Sequence, residues 1–136
     1  MKRITAMFGM FLSAGLAAVA ILEPKAAFLA WVALIPLLIC CKGLSGRKNF
    51  LYSWLAGFIF FGLILYWLNL PVYDYGDSLR FLGIGAITLL YGILGLFWGL
   101  FGWLAGKILQ EQRMCPLLSI PALWTGLELL RRLIFF

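Results

Sequence analysis

The chain has 136 residues, of which 65% are hydrophobic and 12% charged, with a formal net charge of +6. A soluble domain of this size has too little interior to hide so much apolar surface, so the composition excludes an ordinary soluble domain and indicates a membrane protein. Histidine is absent, which removes the commonest general base and metal ligand, and the basic residues lie in short loops between apolar runs, which argues for topology signals and against nucleic acid as a partner.

Five apolar segments are predicted, and the expected fold is an all-α, polytopic transmembrane helical bundle over residues 1–136. The first segment covers about 4–22, behind Lys2 and Arg3. At about 1.5 Å of rise per residue, roughly 20 residues cross a hydrocarbon layer about 30 Å thick. The run before Ala18-Val19-Ala20 resembles a signal peptide, but it is longer than a usual signal core and a second apolar run follows at once, so it is read as retained. That second segment, about 26–41, is short and carries Pro36, which predicts a tilted, bent or partly re-entrant element. The link Glu23-Pro24-Lys25 forces the first two segments into a tight helical hairpin.

The third segment covers about 50–70 and is aromatic at both ends, with Tyr52 and Trp54 at one and Tyr66 and Trp67 at the other. An aromatic belt at the two headgroup layers accounts for all four; the alternative places Tyr66 and Trp67 in an outward-facing pocket beside the loop that carries Asp74 and Asp77. The fourth segment, about 81–106, is long enough to cross with tilt. It carries a heptad stripe of small residues, Gly85, Thr88, Gly92, Gly95, Gly99, Gly102 and Gly106. Such a stripe lets another backbone approach closely, and the expected role of these glycines is packing against a neighbouring helix of the same chain, with homodimerisation as the alternative.

The fifth segment, about 116–136, holds a carboxylate and two guanidiniums inside an apolar run, Glu128, Arg131 and Arg132. A charge at bilayer depth costs roughly 2.5–3.5 kcal/mol on insertion scales, so such groups tend to be paired and functional. On a helix Trp124, Glu128 and Arg131 share one face, and Glu128 reaches Arg131 at i+3 and Arg132 at i+4. Two readings stay open: an interior salt bridge that faces a substrate, or arginines that snorkel to the headgroups.

Loop charge sets the orientation. Lys2, Arg3, Lys42, Arg47, Lys48, Lys107 and Arg113 fall on one side, Lys25 and Arg80 on the other, which predicts a cytoplasmic N-terminus. Cys40, Cys41 and Cys115 then all lie on the cytoplasmic side, as reduced thiols in small apolar positions. The acidic residues are scattered, no Ser or Cys stands beside a base, and no metal-ligand spacing is present, so the sequence offers no catalytic or metal-binding set and implies no cofactor.

Three stretches in order carry a family resemblance: Leu29-Ala30-Trp31-Val32-Ala33-Leu34-Ile35-Pro36, then Gly57 through Tyr66-Trp67, then Pro121-Ala122-Leu123-Trp124 with Glu128 and Arg131. Together they resemble the N-terminal membrane region of apolipoprotein N-acyltransferase, over nearly the whole chain. The resemblance implies a protein of the bacterial inner membrane, one that adds the third acyl chain to lipoproteins. It implies a phospholipid acyl donor, a lipoprotein acceptor with a diacylglyceryl-cysteine, and a nitrilase-like domain outside the membrane with a Glu-Lys-Cys triad. No residue of this chain matches that triad, and Arg132 stands where a small residue is common. The chain alone is therefore expected to be inactive, as a fragment, a truncated product or one half of a split enzyme. Lipid-facing pocket candidates under this resemblance are Tyr66, Trp67, Trp124, Glu128 and Arg131. A small transporter or channel subunit would need inverted repeats, which are not evident; a non-catalytic membrane scaffold would use the small-residue stripe to bind a partner.

Overall fold

The computed structural model describes residues 3–73, 77–111 and 116–135. It is all-α, with no strand among the described residues. The helices are α1 (Arg3–Leu22), α2 (Ala30–Ala33), α3 (Ile35–Lys42), α4 (Gly46–Ile64), α5 (Leu70–Tyr73), α6 (Asp77–Glu111) and α7 (Pro116–Phe135). Turns of 3-10 helix, Pro24–Leu29 and Tyr66–Asn69, lead into α2 and α5. Arg113 and Cys115 lie outside the described residues, as does Asp74.

Among the described residues three helical stretches are long and apolar enough to cross a membrane, Ile4–Leu22, Pro24–Lys42 and Arg80–Glu111. A fourth is added if the bent pair Gly46–Ile64 and Tyr66–Val72 is one span. The fifth expected segment is helical as α7, but Glu128, Arg131 and Arg132 all fall within its C-terminal half, and their charge keeps it out of this set.

Proline decides where the second and third segments break. Pro24 and Pro36 each stand in the first turn of a helix, where a missing N–H costs nothing. Leu34 separates α2 from α3 at the position that Pro36 would otherwise disrupt. In the third segment the helix stops at Ile64 and the chain turns by 67° into Tyr66–Val72. Pro71 lies just beyond, in the first turn of α5, and the 3-10 turn tightens the corner.

The centre of the molecule is the antiparallel pair α4 and α6. Its direction follows from the glycines: a Cβ at Gly46 would meet Trp103, at Gly57 Trp98, and at Gly62 Tyr91. The face of α6 toward α4 is the small-residue stripe. A Cβ at Gly95 would lie 3.1 Å from the Phe58 nitrogen and the Trp54 carbonyl oxygen, and one at Gly99 3.2 Å from the Phe50 carbonyl oxygen. Cβ atoms at Gly102 and Gly106 would run into the Ser53 and Asn49 side chains. Gly92 touches Trp54 more loosely, at 4.0 Å. Gly85 departs from the stripe: nothing lies within 4 Å of a Cβ there, because α4 has already turned away at Ile64.

Trp54 takes part in the same helix pair. Its indole N–H donates to the Gly92 carbonyl at 2.9 Å, so the ring is a wedge between α4 and α6. Buried polar side chains tie the helices to one another. Ser13 on α1 donates to the Ala33 carbonyl, Ser53 donates to the Met10 sulfur at 3.9 Å, and Asn49 donates to the Cys41 carbonyl at 2.8 Å. Each satisfies a group that lipid could not. Cys40 and Cys41 are free and buried among these contacts.

Candidate functional site

α7 joins the bundle at its rim and packs against α6. Trp124 anchors it: the ring meets Phe101 edge-on at 4.9 Å and Trp98 edge-on at 5.6 Å. Pro121 lies inside α7, where it removes one backbone donor, and the Thr125 hydroxyl donates to the Pro121 carbonyl at 2.9 Å. From Trp124 the helix continues over the end of α4, and this leaves a cleft of about 310 Å³ between α1, α4, α6 and α7.

The cleft is apolar on three sides and charged on the fourth. Phe60, Phe61 and Ile64 come from α4, Phe97 and Trp98 from α6, and Ile21 from α1. α7 contributes Trp124, Leu127, Glu128 and Arg131. The Arg131 guanidinium donates to the Glu128 carboxylate in an i,i+3 ion pair. The Arg131 side chain is 27% exposed and that of Glu128 50%, so the pair sits at the cleft mouth rather than deep in the bundle. Arg131 also lies over the Phe61 ring at 5.5 Å, a cation–π contact that ties α7 to α4. Arg132 does not line the cleft but borders an adjoining groove, which shares Trp124, Glu128 and Arg131 with it and runs past Thr125 and Leu129.

The structure brings together Trp124, Glu128 and Arg131, and places Tyr66 and Trp67 elsewhere. Both of these lie in the 3-10 turn beyond the 67° bend, 58% and 54% exposed, and neither lines the cleft. The sequence reading missed Phe60, Phe61, Phe97 and Trp98. One signal was present: Phe97-Trp98 is a bulky pair set between Gly95 and Gly99, beside the small-residue face. Chemically, the cleft can hold an apolar chain against aromatic walls with a polar group at the ion pair. Among the described residues no group of His, Cys, Asp and Glu could hold a metal ion.

The family model for the apolipoprotein N-acyltransferase N-terminal domain matches residues 13–136. The chain belongs to this family. It is 32% identical over 117 residues to the apolipoprotein N-acyltransferase of Geobacter metallireducens, covering 86% of this chain and 22% of that relative. It is 36% identical over 96 residues to the enzyme of the same name from Methylococcus capsulatus, covering 67% of this chain and 18% of the relative. A further relative with that name, from Aquifex aeolicus, is 33% identical over 85 residues, 62% of this chain and 18% of the relative. The chain thus spans about a fifth of the length of these relatives. No solved structure matches it. Within the family match, the cleft is built from all four of the long helices that surround it, and every residue that lines it falls inside residues 13–136.

Proposed function

We propose that this chain forms the membrane portion of an apolipoprotein N-acyltransferase in the bacterial inner membrane, with its N-terminus cytoplasmic. The reaction moves an acyl chain from a phospholipid ester to the amino group of a lipoprotein's N-terminal cysteine. The ester bond breaks and an amide forms, and the deacylated lipid leaves. The observation that carries this reading is the family match across residues 13–136.

The cleft supports a particular part for this chain. An acyl chain entering sideways from the bilayer meets Phe60, Phe61, Phe97 and Trp98, whose rings present a largely apolar surface. The ester and headgroup end meets the Glu128–Arg131 pair, where a guanidinium can donate to a phosphate or carbonyl oxygen. The nucleophile belongs, by the family resemblance, to a nitrilase-like domain, and the part of these membrane residues is to bind the lipid. Tyr66 and Trp67 serve as interfacial contacts outside the cleft, and the glycines of α6 serve to hold α4.

The test is a fusion of this chain to the remainder of the Geobacter metallireducens relative, placed in cells depleted of their own N-acyltransferase. The fusion is expected to restore a third acyl chain on a reporter lipoprotein, read by mass spectrometry of its N-terminal peptide. A well-expressed, membrane-inserted fusion that leaves the reporter diacylated contradicts the assignment. Transport of solute by this chain alone in liposomes would favour the transporter class instead.

A further inference from the structure

A second groove lies at the other end of α4, roughly 15 Å along the helix from the Glu128 cleft. It holds about 550 Å³ and is lined by Gly46, Arg47 and Phe50 of α4 and by Leu100 and Trp103 of α6. We propose that this groove binds an anionic phospholipid as a resident lipid, distinct from any acyl donor.

The argument starts from the Trp103 ring. Gly46 has no side chain, and a Cβ there would lie 3.0 Å from the Trp103 indole nitrogen, so the ring lies flush against the start of α4. Two cations flank it. Arg47 lines the same groove, and the Lys107 ammonium stands 5.2 Å from the centre of the Trp103 ring. Among the described residues neither cation has a carboxylate partner, and the indole N–H of Trp103 has no acceptor. Lys42 and Lys48 lie on the same end, against a single described carboxylate, Glu111. Phe50 and Leu100, both half-buried, make the apolar part of the groove.

That arrangement has the polarity of a phospholipid with a net negative charge. The upper acyl chain covers Phe50 and Leu100, and the phosphate lies between Arg47 and Lys107 and accepts from the Trp103 N–H. Basic side chains at the headgroup level attract anionic lipid, and an indole prefers the same depth. A zwitterionic lipid brings its own cation, which the two unpaired cations repel.

Native mass spectrometry of the detergent-purified chain tests this, with equimolar phosphatidylglycerol and phosphatidylcholine added. Phosphatidylglycerol is expected to be retained in preference. The double variant Arg47→Gln, Lys107→Gln should lose that preference by roughly tenfold. Trp103→Phe, which keeps the ring and removes the N–H, should lose roughly threefold. Lys25→Gln, on another loop, should lose nothing, and circular dichroism should show every variant to be as helical as the parent. Equal retention of the two lipids by the parent would overturn the proposal. So would an unchanged preference in the double variant, or displacement of the lipid by millimolar inorganic phosphate, which would make the groove a site for the free ion.

Discussion

The Tyr91 hydroxyl donates to the Leu65 carbonyl at 2.9 Å, across the point where α4 ends. The same hydroxyl accepts from the Asn69 amide at 3.2 Å, and that amide also donates to the Tyr66 carbonyl at 3.1 Å. One buried side chain of α6 thereby pins both limbs of the 67° bend. In the low-dielectric interior, the freed carbonyl of Leu65 would keep only its local bond from the Leu68 N–H. Tyr91→Phe is predicted to cost about 1 kcal/mol of stability. Hydrogen exchange should rise at residues 65–69 and stay unchanged at the α1 end. Uniform exchange in the variant and the parent would show that the bend is held by its own backbone.

Two alanine substitutions on one helix should act with opposite sign. At Gly95 the new methyl would stand 3.1 Å from backbone atoms of α4, which cannot move aside as a side chain can. Gly95→Ala is predicted to destabilise by about 1–3 kcal/mol. At Gly85 the methyl meets nothing within 4 Å, and alanine is the better helix former, so Gly85→Ala should be neutral or stabilise by up to about 1 kcal/mol. Thermal unfolding in one detergent compares the two; equal effects would mean that α4 does not rest on this stripe.

Asn49 is fully buried and donates to the Cys41 carbonyl at 2.8 Å, beside Gln110, which donates to the Leu44 carbonyl at 2.8 Å. These amides close the turn between α3 and α4. Asn49→Ala is predicted to cost about 1–2 kcal/mol, through the lost hydrogen bond and a small cavity under Gly106. A maleimide should then label Cys41 faster than in the parent, where that thiol is buried. Unchanged labelling would place the closure of this turn elsewhere.

Trp124 carries the attachment of α7. Its two edge-on ring contacts with Trp98 and Phe101 have few neighbours to replace them. Trp124→Ala is predicted to cost about 2 kcal/mol, less than a fully buried ring because the residue is half-buried. Proteolysis should begin in α7 while α4 and α6 stay protected. Cleavage spread evenly over the helices would show that α7 is not a separate unit.

Much of this architecture was legible because period and composition act locally. The all-α fold follows from apolar runs of helical length, and the breaks at Pro24 and Pro36 from a missing N–H. The face shared by Trp124, Glu128 and Arg131 follows from helical spacing alone. The place of Tyr66 and Trp67 was not legible, because the bend that removes them from the cleft is a tertiary feature, bridged by Tyr91 from far along the chain. The wall of Phe60, Phe61 and Trp98 was hidden for a related reason. An aromatic residue in an apolar helix reads the same whether it faces lipid, a neighbour or a cleft, and only tertiary packing decides. Trp54 is one such case, since nothing in its local sequence tells of the hydrogen bond to Gly92 that sets it between helices.

The central claim is that the Glu128 cleft admits the acyl chain, and Ile21 offers the most direct measurement. Its side chain lines the cleft yet is 60% exposed, so a larger residue there fills the mouth without entering the core. Ile4, on the same helix and 80% exposed, is the control. The initial rate of lipoprotein N-acylation is measured in the fusion carrying Ile21→Trp or Ile4→Trp. A fall of at least about tenfold for Ile21→Trp, with Ile4→Trp near the parent rate, is the predicted result, since about 1.4 kcal/mol of lost lipid positioning suffices for it. Equal rates in the two variants would contradict the claim.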